Sequence, residues 1–275
     1  MEGNLQAYPL KGLCQSLSLQ MDLSLVPLNK LVKEPYSTIL GYPKATRREL
    51  TNRISELKKL GIKGVSFTGE ATLNNLHVLG KGYVGVVVLS KYKTKEVALK
   101  IRRIDSSRTE MYSEARLLRL ANEVDVGPKL IASSKNFMIM EYLEGKKVIN
   151  WISELKGRGS AAKLKSVIKK ILEDCYNLDK IHLDHGELSH IHKHVIVGKS
   201  INIIDFESAS VNRRTSNVTS ATQSIFIGSG IANLVKKIIK QPQKKRLITC
   251  LRKYKKDQSR KNFEAILRIL GLVKA

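Results

Sequence analysis

Cysteine is scarce in this sequence, and its three cysteines are far apart. Cys14, Cys175 and Cys250 are odd in number, and none of them lies in a C-x-x-C spacing. A disulfide framework requires paired cysteines, and cysteine-based zinc sites use closely spaced ones. The sequence therefore supports neither kind of site, and we expect free or buried thiols.

Long apolar runs are also missing. No stretch approaches the ~20 consecutive apolar residues that a membrane-spanning helix requires. The N-terminal residues MEGNLQAYPLKG do not join a basic region to a following apolar one, as a secretory signal does. We therefore expect a soluble, cytoplasmic protein with no membrane partner.

Acidic residues are few relative to basic ones, with 24 Asp and Glu against 49 Lys and Arg and a formal net charge of +25. Such a charge favours a polyanionic neighbour such as RNA, the ribosome or an acidic protein surface. In the C-terminal third, however, basic residues alternate with apolar ones at helical spacing. Ordinary amphipathic helices with a solvated basic face would explain that pattern equally well.

A clear helix signal occupies the segment between Thr46 and Gly61. Thr46 and Glu49 have capping-box spacing, and Gly61 is a typical residue just beyond a helix end. The apolar residues between them share one face: Leu50, Ile54, Leu57 and Leu60. We place an N-terminal helical extension at residues 1–65. It fits either a helix-turn-helix, with a short wing made by the strand-like GVSFTG, or a plain helical extension.

A glycine-rich turn lies in a region of short predicted strands that begins at Leu73. Gly80, Gly82 and Gly85, followed by Val87, fit the pattern G-x-G-x-x-G-x-V. A hairpin of this kind lets backbone amides approach phosphate oxygens without an intervening Cβ. Because a strand follows the glycines where a dinucleotide-binding fold has a helix, that fold is disfavoured.

Three more motifs follow the glycine turn. Lys100 ends VALK on a predicted strand. Glu110 and Glu114 lie one turn apart on a helix predicted for residues 108–121, Glu114 within SEARLL. FMIMEYLEG, residues 137–145, predicts a strand that runs into a connecting segment.

Two acidic residues flank a predicted hairpin in the second half of the chain. Glu187 lies in HGEL and Asp205 lies in IIDFE. Between them, two β-branched runs at residues 195–197 and 201–204 are joined by Gly-Lys-Ser, which suits a tight turn. A hairpin returns the chain to near its start, so both carboxylates can face one small volume. That arrangement suits holding a cation and accepting a proton beside it.

Taken in order over residues 79–207, these motifs resemble those of the protein-kinase superfamily: glycine loop, VALK, helix glutamate, MEYLEG, HGEL and IIDFE. More narrowly, HGELSxxxKHVIV followed by IIDFESAS is similar to a compact archaeal family of predicted Ser/Thr protein kinases on the RIO-like branch. RIO-type kinases carry a winged-helix domain ahead of the kinase fold, which is one interpretation of the extension at residues 1–65.

The resemblance implies an α+β, bilobal protein-kinase-like fold, with an N-lobe at residues 66–143 and a C-lobe at residues 144–275. The C-lobe would be truncated, because RRTSNVTSATQ lacks the A-P-E segment. Ser220 and Gln223 have the spacing of a capping box that opens a helix there.

The resemblance also implies ATP and Mg²⁺, with Mn²⁺ as a substitute, as the cofactors. Lys100 would reach the phosphates and pair with Glu114, which the pattern favours over Glu110. Asp205 would bind the metal, and Glu187 would orient the attacking hydroxyl. The expected ATP-binding residues are Leu79, Gly80, Lys81, Gly82, Tyr83, Gly85, Val87, Ala98, Lys100 and the backbone of Glu141 and Leu143.

Three positions depart from the superfamily pattern. Glu187 replaces the usual Asp, and Glu207 replaces the Gly of D-F-G. The Asn that normally holds a second Mg²⁺ is replaced by His192 when the count starts from Glu187, or by His194 when the following strand is aligned. Imidazole is a poor magnesium ligand, so water, Glu207 or Mn²⁺ would complete the shell.

The sequence therefore predicts an ATP-dependent Ser/Thr protein kinase that transfers the γ-phosphoryl group to a protein hydroxyl, including its own. A nucleotide-dependent ATPase switch or pseudokinase that binds RNA or ribosomal assemblies is the alternative, favoured by the charge and the altered loop. A small-molecule kinase is a third hypothesis. The protein substrate and the oligomeric state are not predicted.

Overall fold

The computed structural model describes residues 24–228 and 230–274, and Cys14 lies outside them. The described chain is a mixed α+β protein, with most strands in its first half and most helices in its second. Its strands are β1 (Val26–Pro27), β2 (Ile62–Ser66), β3 (Ala71–Leu73), β4 (Leu76–Val78), β5 (Gly80–Lys81), β6 (Gly85–Tyr92), β7 (Lys95–Arg102), β8 (Leu130–Ser133), β9 (Phe137–Glu141), β10 (Gly145–Lys147), β11 (Val195–Gly198) and β12 (Ile201–Ile203). Its α-helices are α1 (Tyr36–Leu40), α2 (Arg47–Lys59), α3 (Tyr112–Asn122), α4 (Val148–Glu154), α5 (Ser160–Lys180), α6 (Ile191–His194), α7 (Asn217–Phe226), α8 (Ile231–Ile238), α9 (Lys244–Lys256) and α10 (Arg260–Ile269).

A seven-stranded antiparallel sheet forms the first half of the molecule. Its order is β1-β2-β6-β7-β9-β8, and β5 also pairs with β6. The hairpin β6–β7 is regular from Gly85 opposite Arg102 to Tyr92 opposite Lys95, and this register places Lys100 opposite Val87. The glycine turn and the strand lysine therefore lie next to each other on the sheet.

The N-terminal helix signal is confirmed, including its cap. Glu49 N donates to Thr46 Oγ1 over 3.2 Å and Thr46 N donates to Glu49 Oε2 over 2.7 Å, so the capping box is complete. The segment expected as a wing is different, because β2 pairs with β6 inside the large sheet. The expected boundary at residues 65/66 falls within β2, and the described part of the extension packs on the sheet as a helical layer.

A buried arginine connects this helical layer to the sheet. Arg53 of α2 is 3% exposed, and its Nη1 atom donates to the carbonyls of Leu40 and Arg102, each over 2.7 Å. Leu50, Ile54 and Leu57 face the same core as the sheet residues. The layer is therefore held by both apolar burial and directed hydrogen bonds.

Helices dominate the second half, and α5 is its central element. The helix predicted for residues 160–182 is confirmed as α5, whose apolar face is buried in the larger of two cores. The predicted hairpin is also confirmed as β11–β12, with Val195 opposite Ile203, and β10 joins it as a third strand. Among the described helices, none combines the length and apolarity needed to cross a membrane.

Two helix starts differ from the prediction. The helix expected from residue 108 begins at Tyr112. The helix expected to open at Ser220 begins at Asn217, and the amides of Asn217 and Val218 donate to the buried carboxylate of Asp179 over 3.1 and 3.2 Å. The capping group of α7 thus comes from α5, a partner distant in sequence, and not from a local capping box.

Candidate functional site

A cavity of about 350 Å³ lies between the large sheet and the segment that follows β12. The chain crosses from the sheet to the helical half beside it, through residues 142–144. Most residues expected to bind ATP line this cavity: Leu79, Gly80, Lys81, Gly82, Gly85, Val87, Ala98, Lys100, Glu141 and Leu143. Tyr83 does not, because its side chain is 90% exposed.

Lys100 lies at the centre of a carboxylate cluster at the inner end of the cavity. Its Nζ atom is 2.7 Å from Glu114 Oε1, 3.0 Å from Asp205 Oδ1 and 3.2 Å from Glu207 Oε2. Burial by itself lowers the pKa of Lys100, but the three carboxylates outweigh it and raise the pKa above its usual value. The lysine is therefore a permanent cation.

Local structure explains why Glu114 and not Glu110 reaches the lysine. Helix α3 starts at Tyr112, which places Glu114 in its first turn and leaves Glu110 before the helix. Glu114 is only 2% exposed, and its second oxygen, Oε2, has no hydrogen-bond partner among the described residues.

Asp205 enters the cluster through an unusual backbone conformation. Its φ and ψ of 72° and 76° lie in the left-handed region, which a non-glycine residue seldom occupies. The next residue, Phe206, turns inward and packs on the His185 ring with centroids 5.1 Å apart. Burial alone would raise the pKa of Asp205, but the attraction of Lys100 outweighs it and lowers the pKa, so the carboxylate stays ionised.

Glu187 faces Asp205 across the ring of His194. Glu187 Oε1 accepts a hydrogen bond from Ser208 Oγ, and Glu187 Oε2 is 2.9 Å from His194 Nε2. The other ring nitrogen, His194 Nδ1, is buried without a hydrogen-bond partner and lies 4.0 Å from Asp205 Oδ2. One imidazole thus spans the two carboxylates that the sequence singled out.

His192, the alternative to His194, lies elsewhere. It is two residues earlier on the short helix α6, so its side chain points away from that of His194. Its ring lies beside that of His190, with ring centroids 6.2 Å apart. The structure brings His194, and not His192, to Asp205.

The HGEL loop is fixed from behind by hydrogen bonds of His185, whose partner Asn217 the sequence did not indicate. His185 N donates to Asn217 Oδ1 over 2.8 Å, and the His185 ring contacts the Ile204 carbonyl through Nε2 over 3.0 Å. Burial lowers the pKa of His185 to about 4, so the ring is neutral and donates through Nε2.

Arg213 holds the same loop from the other side. Its guanidinium donates to the Asp184 carboxylate and to the Ser208 carbonyl. Gly186 has a φ of 89°, and a Cβ there would be 2.1 Å from Arg213 Nη2 and 2.6 Å from Ser208 O. The loop therefore requires glycine at this position. Ser208 directly follows the IIDFE motif, and this adjacency was the only sequence signal for its role.

The described ranges contain no group of three or more His, Cys, Asp or Glu side chains arranged to hold a metal ion by themselves. The ammonium of Lys100 lies where the carboxylates converge. Any metal here would therefore need ligands from a bound molecule as well.

Comparison with protein-family models gives no match for this sequence, and neither does comparison with curated proteins. The functional proposal therefore rests on the residues of the cavity and their chemistry.

Proposed function

We propose that this protein is an ATP-dependent Ser/Thr protein kinase with a bilobal, protein-kinase-like arrangement of its sheet and its helical half. One observation above all supports the proposal. Lys100, Glu114 and Asp205 come from three separate segments and converge at one cavity that a glycine turn borders, and Glu187 is connected to Asp205 through the ring of His194. Structural ion pairs alone give no reason for a glycine-bordered cavity next to them.

Lys100 would bind the α- and β-phosphates of ATP, and Glu114 would hold it in place. Its buried position and permanent charge suit the recognition of a polyanion in a site of low dielectric. Ala98 and Val87 line the same cavity with apolar side chains, which fit the face of an adenine base. The backbone of Glu141 and Leu143 borders the cavity where adenine would be recognised.

The residues present fit a divalent cation. Asp205 is ionised, faces the cavity, and has the unpartnered buried Nδ1 of His194 4.0 Å away. Asp205 would hold Mg²⁺ or Mn²⁺ together with the nucleotide phosphates, and the metal would neutralise charge on the transferred phosphoryl group.

Glu187 would orient the acceptor hydroxyl. Its Oε1 atom already accepts a hydrogen bond from a serine hydroxyl, that of Ser208, so this oxygen is placed to accept one. In the transfer, the acceptor oxygen would bond to the γ-phosphorus, and the bond from that phosphorus to the β–γ bridging oxygen would break, so that ADP leaves. Glu187 would take the proton of the acceptor hydroxyl.

The test is phosphate transfer from radiolabelled ATP to the protein itself and to a generic protein substrate, with the modified residues mapped by mass spectrometry. Lys100→Met and Asp205→Asn are each expected to abolish transfer. Lys95→Met is the matched control, because Lys95 is exposed at the other end of β7. Undiminished transfer in both site variants would reject the proposal.

We also propose a polyanionic partner, RNA or a ribosomal assembly, for the surface of α9. Seven basic residues of α9 are exposed, and in the described chain none of them lies in an ion pair: Lys244, Lys245, Arg246, Arg252, Lys253, Lys255 and Lys256. Leu247, Leu251 and Tyr254 bury the opposite face of the helix. An uncompensated basic face of this kind is what phosphate backbones require.

RNA binding can be measured by fluorescence anisotropy at several salt concentrations. Lys245, Arg252 and Lys256 lie on one stripe of α9, and their combined reversal to Glu is expected to reduce the salt slope by about 2, at roughly 0.7 per lost phosphate contact. The matched control reverses Lys58, Lys59 and Lys63, which are exposed near the end of α2. If both triple variants reduced the salt slope equally, RNA binding would depend on net charge alone and not on the surface of α9. RNA binding without phosphate transfer would favour the nucleotide-dependent switch.

A further inference from the structure

Glu207 contacts Lys100, but a role as a simple counter-ion does not explain its position. Asp205 and Glu207 are two residues apart, and the left-handed backbone of Asp205 lets both carboxylates reach the same ammonium, over 3.0 and 3.2 Å. Phe206 between them points into the core. Asp205 and Glu207 thus form a pair of carboxylates at the inner wall of the cavity, here called the carboxylate pair.

Three carboxylates share one ammonium at ion-pair distance, while Lys147 acts on Asp205 only from further away and Arg108 donates to the Glu207 carbonyl and not to its carboxylate. Among the described residues, Lys100 is the only lysine or arginine within 4.0 Å of the carboxylates of Glu114, Asp205 and Glu207. An uncompensated carboxylate in a low-dielectric site is costly, so the cluster favours additional positive charge.

Two buried polar atoms on residues that border this cluster have no partner in the described chain. Glu114 Oε2 is one, on a side chain that is 2% exposed. His194 Nδ1 is the other, on a residue that is 5% exposed, and it is directed at Asp205 Oδ2 over 4.0 Å. Buried polar atoms are nearly always paired, so both indicate a polar ligand at this point.

The carboxylate pair also lies next to the glycine turn. A Cβ on Gly82 would be 3.9 Å from Glu207 Oε2, and a Cβ on Gly85 would be 3.1 Å from Lys100 Cγ. Glu207 therefore lies between the lysine and the backbone that would approach phosphates. A second carboxylate repels phosphate unless a cation lies between them.

We propose that Asp205 and Glu207 together bind a divalent cation, Mg²⁺ or Mn²⁺, and that the Lys100 ammonium holds this position until nucleotide phosphates draw it away. Glu207 then supplies the protein oxygen that the replaced Asn would otherwise give, and two carboxylates plus phosphate oxygens meet the preference of magnesium. This inference rests on the proposed assignment of the cavity to a metal–nucleotide complex.

Mn²⁺ binding tests the proposal, measured on the full chain by the electron paramagnetic resonance signal of free Mn²⁺. With a non-hydrolysable ATP analogue present, Glu207→Gln is expected to weaken Mn²⁺ binding about tenfold or more, since even the outer partners of metal ligands are worth about that much. Glu207→Asp, which keeps a carboxylate, should retain most of the binding. Glu70→Gln is the matched control, because Glu70 lines the same cavity but is not in contact with Lys100.

A second arm uses no nucleotide. Lys100→Met removes the resident ammonium, so Mn²⁺ affinity is expected to rise about tenfold or more, and adding Glu207→Gln should abolish that gain. Circular dichroism of each variant establishes that it is folded. Wild-type Mn²⁺ binding by Glu207→Gln, or an equal loss in Glu70→Gln, would overturn the inference.

The two proposals can fail separately. Neither arm measures phosphate transfer, so Mn²⁺ bound through Glu207 without any transfer would refute the kinase and leave the cation site. Transfer with unaltered Mn²⁺ binding in Glu207→Gln would do the reverse.

Discussion

The ring of His194 is joined to the carboxylate of Glu187, with Nε2 2.9 Å from Oε2. Burial lowers the pKa of His194, although Asp205 and Glu187 both act to raise it, so the neutral ring donates one hydrogen bond to Glu187. Glutamate is a methylene longer than aspartate, and contacts with the His194 ring and with Ser208 limit where the Glu187 carboxylate can point.

If the proposed kinase function holds, His194→Ala should lower kcat for phosphate transfer about tenfold or more, because it frees the Glu187 carboxylate and a misplaced catalytic group costs that much even at small displacements. His192→Ala is the matched control on the same helical turn and should stay near the wild-type value. Steady-state kinetics with ATP and a protein substrate would measure both. Equal effects of the two substitutions would contradict the role given to His194.

Gly186→Ala should lower the free energy of unfolding more than Gly157→Ala does. Both glycines have a positive φ, 89° and 78°, so both substitutions carry a backbone strain of about 1 kcal/mol. Only at Gly186 would the new Cβ meet Arg213 and the Ser208 carbonyl, whereas at Gly157 it would meet nothing within 4 Å. Urea denaturation should show a larger loss of unfolding free energy for Gly186→Ala, and transfer should fall in that variant alone. Equal losses would mean that backbone strain is the whole effect.

Asp179→Ala should destabilise the protein by about 3 kcal/mol or more, because it leaves several buried donors unpaired. The carboxylate accepts from the amides of Asn217 and Val218 and from Tyr254 Oη, the last over 2.9 Å. Tyr254→Phe, which removes only one donor, should cost about 1 kcal/mol. Chemical denaturation measures both, and a surface control is Glu123→Ala at the end of α3. A loss below 1 kcal/mol for Asp179→Ala would refute this role.

Asp174→Asn should stabilise the protein at neutral pH. Burial raises the pKa of Asp174 to about 6, and the hydrogen bond from Lys170 offsets this only in part. A folded-state pKa above the unfolded value means that the unfolded chain binds fewer protons between pH ~4 and ~6, so stability falls as pH rises through that window. The unfolding free energy of the wild type should therefore fall by at most about 3 kcal/mol between pH ~4 and ~6 because of this carboxyl group. The Asn variant has no carboxyl group here, so this contribution should be absent from its pH dependence.

Unfolding free energies measured from pH 4 to pH 8 test this. The two proteins should converge near pH 4 and diverge towards pH 7. The control for loss of a carboxylate is Glu173→Gln, at the neighbouring half-buried position, where Glu173 pairs with Arg260. A wild-type protein that is more stable than Asp174→Asn at pH 7 would contradict the prediction.

Motifs with fixed local spacing were the predictable part of this molecule. The Thr46–Glu49 capping box, the β11–β12 hairpin and helix α5 follow from short-range patterns, and the structure has each of them. Glu114 could be preferred over Glu110 from the helix pattern, and Glu114 is the residue that contacts Lys100.

Long-range partners were the unpredictable part. The start of α7 is set by Asp179, 38 residues earlier, and no local signal marks that carboxylate as a cap. The choice between His192 and His194 depended on where a four-residue helical turn begins, which spacing alone does not determine. Tyr83 was expected at the cavity because its neighbours are there, but a turn residue between two glycines can point to solvent.

The pairing of β2 with β6 has a practical consequence for protein engineering. A shortened version that starts at residue 67 would remove β2, one of the strands paired with β6, and leave a row of unpaired amides and carbonyls along that side of β6, the kind of edge on which chains aggregate. It would also remove Arg53, which donates to the carbonyl at the end of the strand that carries Lys100. The helical layer and the cavity beside Lys100 should therefore be expressed, purified and studied as one inseparable folding unit.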